Sequence, residues 1–105
     1  MSTDRLTILK TLLEQNPNDS FARYGLAMEY AKGGDLEQAV VEFREVIAGN
    51  ADYSYAYFHG GQSLEKLHRP EEARDLYQQG IAAASRIDDR KGLSELQAAL
   101  DMLTV

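Results

Sequence analysis

The chain has 105 residues, no cysteine and a net charge of −6, from 17 acidic against 11 basic side chains. That length supports one domain with its own core, the lack of thiols excludes a disulfide framework or thiolate metal site, and the negative charge opposes a phosphate backbone. No apolar run approaches the roughly 20 residues of a membrane span, and Asp4 and Arg5 interrupt the stretch where a secretory signal would build its apolar region, so a soluble cytoplasmic protein binding neither nucleic acid nor membrane is expected.

The first predicted element is a helix over 3–15, where Leu6, Leu9, Leu12 and Leu13 recur at helical spacing before Pro17. A second helix is predicted over 19–33, ended by Gly33 and Gly34. The third, over 36–49, carries one apolar stripe: Leu36, Ala39, Val40, Phe43, Val46 and Ile47 fall at i, i+3, i+4, i+7, i+10 and i+11. Asp35 is its natural N-cap, and Gln38 stands three residues on, as in a capping box. The fourth, over 53–67, turns Tyr57, Gly60, Gly61 and Leu64 toward its partner helix. Each glycine costs about 1 kcal/mol relative to alanine, so two in succession imply that another backbone comes close. The fifth, over 70–84, repeats the stripe of the third with Ala73, Leu76, Tyr77, Gly80, Ile81 and Ala84, and Pro70 fits its first turn. The sixth, over 90–103, spaces Leu93, Leu96, Leu100 and Leu103 as a helix that caps an exposed end.

Shifted by 34 residues, 20–53 falls on 54–87 with seven identities: Ser20/Ser54, Ala22/Ala56, Lys32/Lys66, Glu37/Glu71, Ala39/Ala73, Ile47/Ile81 and Ala48/Ala82. Bulk is kept as well, at Phe21/Tyr55, Tyr24/Phe58, Tyr30/Leu64 and Phe43/Tyr77. A fixed period of that length points to stacked helix-turn-helix hairpins. These positions resemble the tetratricopeptide repeat family, whose unit places Trp, Leu, Gly and Tyr on its first helix and Ala, Phe and Pro on its second. Unit 20–53 supplies Arg23, Leu26, Ala27, Tyr30, Ala39, Phe43 and Ala51; unit 54–87 supplies Tyr57, Gly60, Gly61, Leu64, Ala73, Tyr77 and Ser85. Arg23 departs from the expected large apolar residue, and Ala51 and Ser85 from the terminal proline. The resemblance covers nearly all of 3–87, with 3–15 as the second helix of an incomplete earlier repeat and 88–105 as a C-terminal capping segment. It implies an all-α, right-handed solenoid of antiparallel helix pairs with about six helices.

The same resemblance implies that a second stripe on the first helices lines a concave groove for peptide ligands. Here that stripe holds Phe21, Tyr24 and Met28, then Tyr55, Phe58 and Gln62, with His59 at the groove edge facing water or a bound backbone. Aromatic and methionine side chains suit an adaptable protein-binding surface. The expected function is a non-catalytic module that holds a segment of another protein. The alternative is a homodimer or larger homo-oligomer that buries these rings, or the leucine face of the last helix, against a second copy. The C-terminal helix would also hide the rings if it folded over them. Relatives that grip a C-terminal carboxylate use lysine, asparagine and arginine on this stripe, a mode that Tyr24, Met28, Phe58 and Gln62 do not fit. Glu65 and His68 form one Glu-x-x-His pair, whereas a bundle di-metal site needs two such pairs. His68 then reads as a solvated helix end. The runs "RPEEARD" and "DDRK" read as solvated faces, with Glu71 and Glu72 suiting the helix dipole and Asp88 or Asp89 capping the last helix. The sequence has no phosphate loop, Gly-x-Ser-x-Gly or cysteine nucleophile, so no catalytic residue, metal or cofactor is expected.

Overall fold

The computed structural model describes residues 4–103, which form six helices: α1 (Arg5–Gln15), α2 (Ser20–Lys32), α3 (Leu36–Gly49), α4 (Ser54–Lys66), α5 (Pro70–Arg86) and α6 (Arg90–Leu103). α2 pairs with α3 and α4 with α5 across short turns, while α1, α3 and α5 each also pack on the helix that follows. The first helices α2, α4 and α6 touch in a row. The result is the expected all-α stack of antiparallel pairs. Among the described residues, no helix is long and apolar enough to cross a membrane.

Local chemistry sets the boundaries. Asp19 accepts the Ala22 N–H at 3.0 Å and Asp35 accepts that of Gln38 at 3.3 Å, while Pro70 opens α5. The capping box at α3 stays half-formed: the Gln38 amide turns away and donates to Glu42 Oε2 at 3.0 Å. Asp89 caps α6 by accepting the Gly92 N–H at 2.9 Å, and its other oxygen accepts the Ser54 hydroxyl at 2.6 Å. These two bonds, the Ser54 bond first, hold the Asp89 carboxyl below its ordinary range. α2 ends where Gly34 adopts φ +91°, a left-handed turn that His68 repeats 34 residues later at φ +61°. α5 runs to Arg86, two residues past expectation, before Asp88 turns the chain at φ +57°. Position 3 of the expected first helix lies outside the described residues.

That longer α5 explains why the segment after residue 87 lies outside the 34-residue period. α2 and α4 start at residues 20 and 54, a step of 34, whereas α6 starts at residue 90, a step of 36. The sixth helix nevertheless continues the row of first helices rather than standing apart as a simple cap.

The core runs the length of the stack, and Phe43, Val46, Leu64, Leu76, Tyr77 and Leu96 are fully buried. The close approach at Gly60 and Gly61 is made by side chains, not by the backbone that the double glycine implied. A Cβ on Gly61 would overlap the Tyr77 ring, with Cδ1 and Cζ each 2.7 Å away, and one on Gly60 would meet Leu76 Cδ2 at 2.9 Å. The Tyr77 hydroxyl donates to Glu65, one turn along α4 from Gly61, and burial pushes its pKa strongly up, reinforced by that bond.

Arg23, the departure from the family pattern, belongs to a partly buried ion pair. Its Nη1 lies 2.8 Å from Glu42 Oε1, and Nη2 donates to the Pro17 carbonyl at 3.4 Å. The same two places 34 residues on hold Tyr57 and Leu76, where the Tyr57 hydroxyl donates to the Ala51 carbonyl at 2.7 Å. A charged pair therefore stands in one hairpin where an apolar pair stands in the next. The run around Pro70 likewise does more than face water: Arg69 bridges Glu72 at 2.8 Å and Glu37 at 3.1 Å, and Arg44 reaches Glu72 at 3.2 Å, tying α3 to α5.

Gly61→Ala should destabilise the fold by about 1–3 kcal/mol through overpacking against Tyr77, despite a helix-propensity gain of about 1 kcal/mol. Gly49→Ala, with nothing within 4 Å of the added carbon, should show no loss. Urea denaturation of both variants checks the contrast. By the same assay Glu42→Leu alone should cost on the order of 2 kcal/mol, because it leaves the Arg23 charge half-buried. Combining Arg23→Tyr with Glu42→Leu should return stability to within about 1 kcal/mol of wild type or above it.

Candidate functional site

The row of α2, α4 and α6 builds one face of the stack. Along it runs a connected series of rings. Tyr53 lies 5.1 Å from Tyr24, which meets Phe43 edge-on at 6.0 Å and His59 at 6.0 Å. His59 stacks on Phe43 at 6.4 Å and 21°, and Phe58 meets His59 edge-on at 5.1 Å and Tyr77 at 6.5 Å. Phe43 and Tyr77 are core residues, so the floor of this face is the outer side of the core itself.

Two depressions flank α4. Between α4 and α6 a cavity of about 550 Å³ is lined by Phe58, His59, Gln62, Glu95, Ala98, Ala99 and Met102. Between α2 and α4 one of about 360 Å³ is lined by Met28, Glu29, Ala31, Lys32, His59, Gln62, Ser63 and Lys66. His59 and Gln62 belong to both and form the ridge between them.

The structure thus gathers Tyr24, Met28, Phe58, His59 and Gln62 on one face. Tyr55 is half-buried, and burial pushes the Tyr24 phenol up to about 12, with charge repulsion from the Tyr53 and Tyr55 phenols adding to it. Phe21 stands apart: it is 77% exposed and lines neither depression. His59 departs from the sequence expectation. It is half-buried among rings rather than turned to water, and burial pulls its pKa below the ordinary value, with Glu95 pulling the other way. Glu65 serves as acceptor for the Tyr77 hydroxyl, and His68 is exposed in its left-handed turn.

The sequence reading missed Tyr53, Glu95, Ala98, Ala99 and Met102. α6 does not fold over the rings; it lies beside α4 and supplies the far wall. With a 36-residue step Phe58, Gln62 and Lys66 fall on Ser94, Ala98 and Met102, and that signal would have placed α6 on the face.

A tetratricopeptide repeat domain protein from Salinibacter ruber, solved by NMR, superposes with a TM-score of 0.78 at 39% identity, over 84% of this chain and 89% of that one. The chain belongs to the tetratricopeptide repeat family. An F-box/TPR repeat protein of Schizosaccharomyces pombe is 30% identical over 86 residues, 81% of this chain, which spans only 15% of that relative. PcrH, solved in complex with the chaperone binding region of PopD, has the same fold at 18% identity, with a TM-score of 0.89 over 94% of this chain and 75% of that one. No family model matches the chain. In this tetratricopeptide repeat protein the ring-lined face is the side formed by the first helices, and the fold is one suited to protein–protein interaction.

The buried histidine gives a pH dependence of known sign. Because the folded-state pKa of His59 lies below its unfolded value of about 6.5, the unfolded chain binds more protons as pH falls through that range, and stability declines. Urea midpoints should therefore drop between pH 7.5 and 5.5 in wild type and drop less in His59→Gln.

Proposed function

We propose that this chain is a non-catalytic module that holds a segment of another protein on the face formed by α2, α4 and α6. The observation that carries this reading is the open depression between α4 and α6: Phe58, Ala98, Ala99 and Met102 make it mainly apolar, while His59, Gln62 and Glu95 offer polar contacts at its floor and rim. Met102 is 78% exposed, so a flexible thioether stands free at the edge and can adapt to an incoming side chain. The small Ala98 and Ala99 leave room for one bulky apolar anchor, with a second accommodated beside Met28 across the His59–Gln62 ridge. Recognition by apolar anchors placed in successive depressions is the mode open to either an amphipathic helix or an extended strand. Phe21 and Tyr55 on the same stripe extend the contact beyond the depressions. The fold shared with PcrH, which was solved with a bound segment of PopD, supports the reading.

A random peptide library displayed on phage and selected on the purified chain should yield sequences with spaced apolar residues. Phe58→Ala should weaken the selected peptides by about tenfold or more, or about 1.4 kcal/mol, as measured by fluorescence polarisation. Val41→Glu, an exposed position on α3 away from both depressions, should leave them unchanged. Equal binding by Phe58→Ala and wild type would show that the ligand sits elsewhere.

A further inference from the structure

We infer that the segment held on this face is acidic at its α2–α4 end, where Lys32 and Lys66 receive the carboxylate of a glutamate or aspartate side chain, and apolar at its α4–α6 end. Given the groove reading above, on which this rests, the composition and the direction of the ligand both follow. Lys32 and Lys66 are one of the identities of the 34-residue period, each in the last turn of a first helix. A single lysine there suits the helix dipole and indicates no ligand. The period, however, brings two of them, both exposed, to one depression, which they line with Met28. α2 and α4 both lie inside the described stack, so helices added at either end would lengthen the row without covering this place.

Local charge favours that occupant. The acid bordering the depression, Glu29, is already engaged: its Oε2 lies 3.0 Å from Arg5 Nε and 4.0 Å from Lys32 Nζ. Among the described residues no carboxylate forms an ion pair with Lys66. Arg5, Lys32 and Lys66 therefore share one carboxylate, a local positive surplus in a chain whose net charge is −6. A carboxylate arriving with the ligand is the group that offsets it.

The depression between α4 and α6 has the opposite character. With the 36-residue step Met102 stands where Lys66 would. Among the described residues its lining holds no lysine or arginine and one carboxylate, Glu95, whose Oε2 is 3.9 Å from Lys91 Nζ. Turned end for end, the segment would set its acid against Glu95 and cover the lysines with apolar groups, so one direction is selected. The two depressions flank α4, on the order of 10 Å apart as neighbouring helices are. About three residues of extended chain or about seven of helix span that distance.

Selection from a random peptide library tests this on the full chain, with the peptides fused to phage through their C-termini so that only side-chain carboxylates are offered. Wild type should enrich glutamate and aspartate at one fixed spacing, about three or about seven residues, from a bulky apolar residue. Lys32→Gln with Lys66→Gln should lose that enrichment; both positions are exposed, and circular dichroism checks that the variant stays helical. A synthetic peptide of the selected sequence should bind this variant about fivefold more weakly than wild type, as two exposed ion pairs allow. Raising sodium chloride from about 50 mM to about 500 mM should erase the difference, since exposed charges are screened. Exchanging the acidic residue of the peptide for its amide should cost the same on wild type and nothing on the variant. Lys10→Gln, which removes a charge from α1 outside both depressions, should change nothing. Peptides that need Phe58 yet carry no acid at a fixed spacing, or that bind wild type and the lysine variant equally in low salt, overturn this inference and leave the groove reading standing. A library that gives no binder, or binders indifferent to Phe58→Ala, overturns the groove reading and this inference with it.

Discussion

The stack depends on one close contact, the Tyr77 ring lying against Gly61. A helix facing a tyrosine ring at that distance has no room for a Cβ, so α4 accepts the propensity cost of two glycines, about 1 kcal/mol each. The return is full burial of Tyr77 and Leu76, about 1.5–3 kcal/mol for each side chain, and a hydroxyl that finds Glu65 one turn on along the same helix. Without that bond the phenol would be a buried polar group lacking a partner. The contact sets the spacing of α4 and α5, and Gly80 on α5 repeats the device toward Tyr57 and Leu96, which brings α6 into place.

The ring-lined face follows from this packing. With one side of α4 given over to Tyr77 and Leu76, Phe58 and His59 stand at its margin with their inner edges against Tyr77 and Phe43. They are half-buried because their neighbours are core, and they remain accessible because α6 sits beside them. The same burial favours the neutral imidazole, so the ring is placed to offer a ligand a hydrogen bond.

Most of the fold was legible because the packing is periodic. The 34-residue identities, the stripe through Leu36 to Ile47 and the capping residues Asp35 and Pro70 gave all six helices with errors of only one or two residues at the ends. What failed did so where the period breaks. Two further residues at the end of α5 hid the kinship of α6 with α2 and α4, and with it Glu95, Ala98, Ala99 and Met102. Arg23 and Glu42 sit 19 residues apart, a separation at which no local pattern announces an ion pair. Of the candidate site residues, helical spacing put Tyr24, Met28 and Phe58 on common stripes and the family resemblance made those stripes a groove, but spacing carries no information about burial. It therefore left His59 at the groove edge facing water or a bound backbone without showing its half-burial, and it grouped Phe21 with rings that in fact pack without it.

The Asp89 carboxylate has a reach beyond capping. By holding both the first turn of α6 and the Ser54 hydroxyl at the start of α4, it acts as the latch of the last described helix, which packs on α4 and α5. End elements of a solenoid fray at lower free energy than the centre. Since that helix is also a wall of the larger depression, the depression exists only in the fraction of molecules whose latch is closed. Any ligand gripping both walls is then bound with an apparent affinity scaled by that fraction, and in binding it splints the end of the stack.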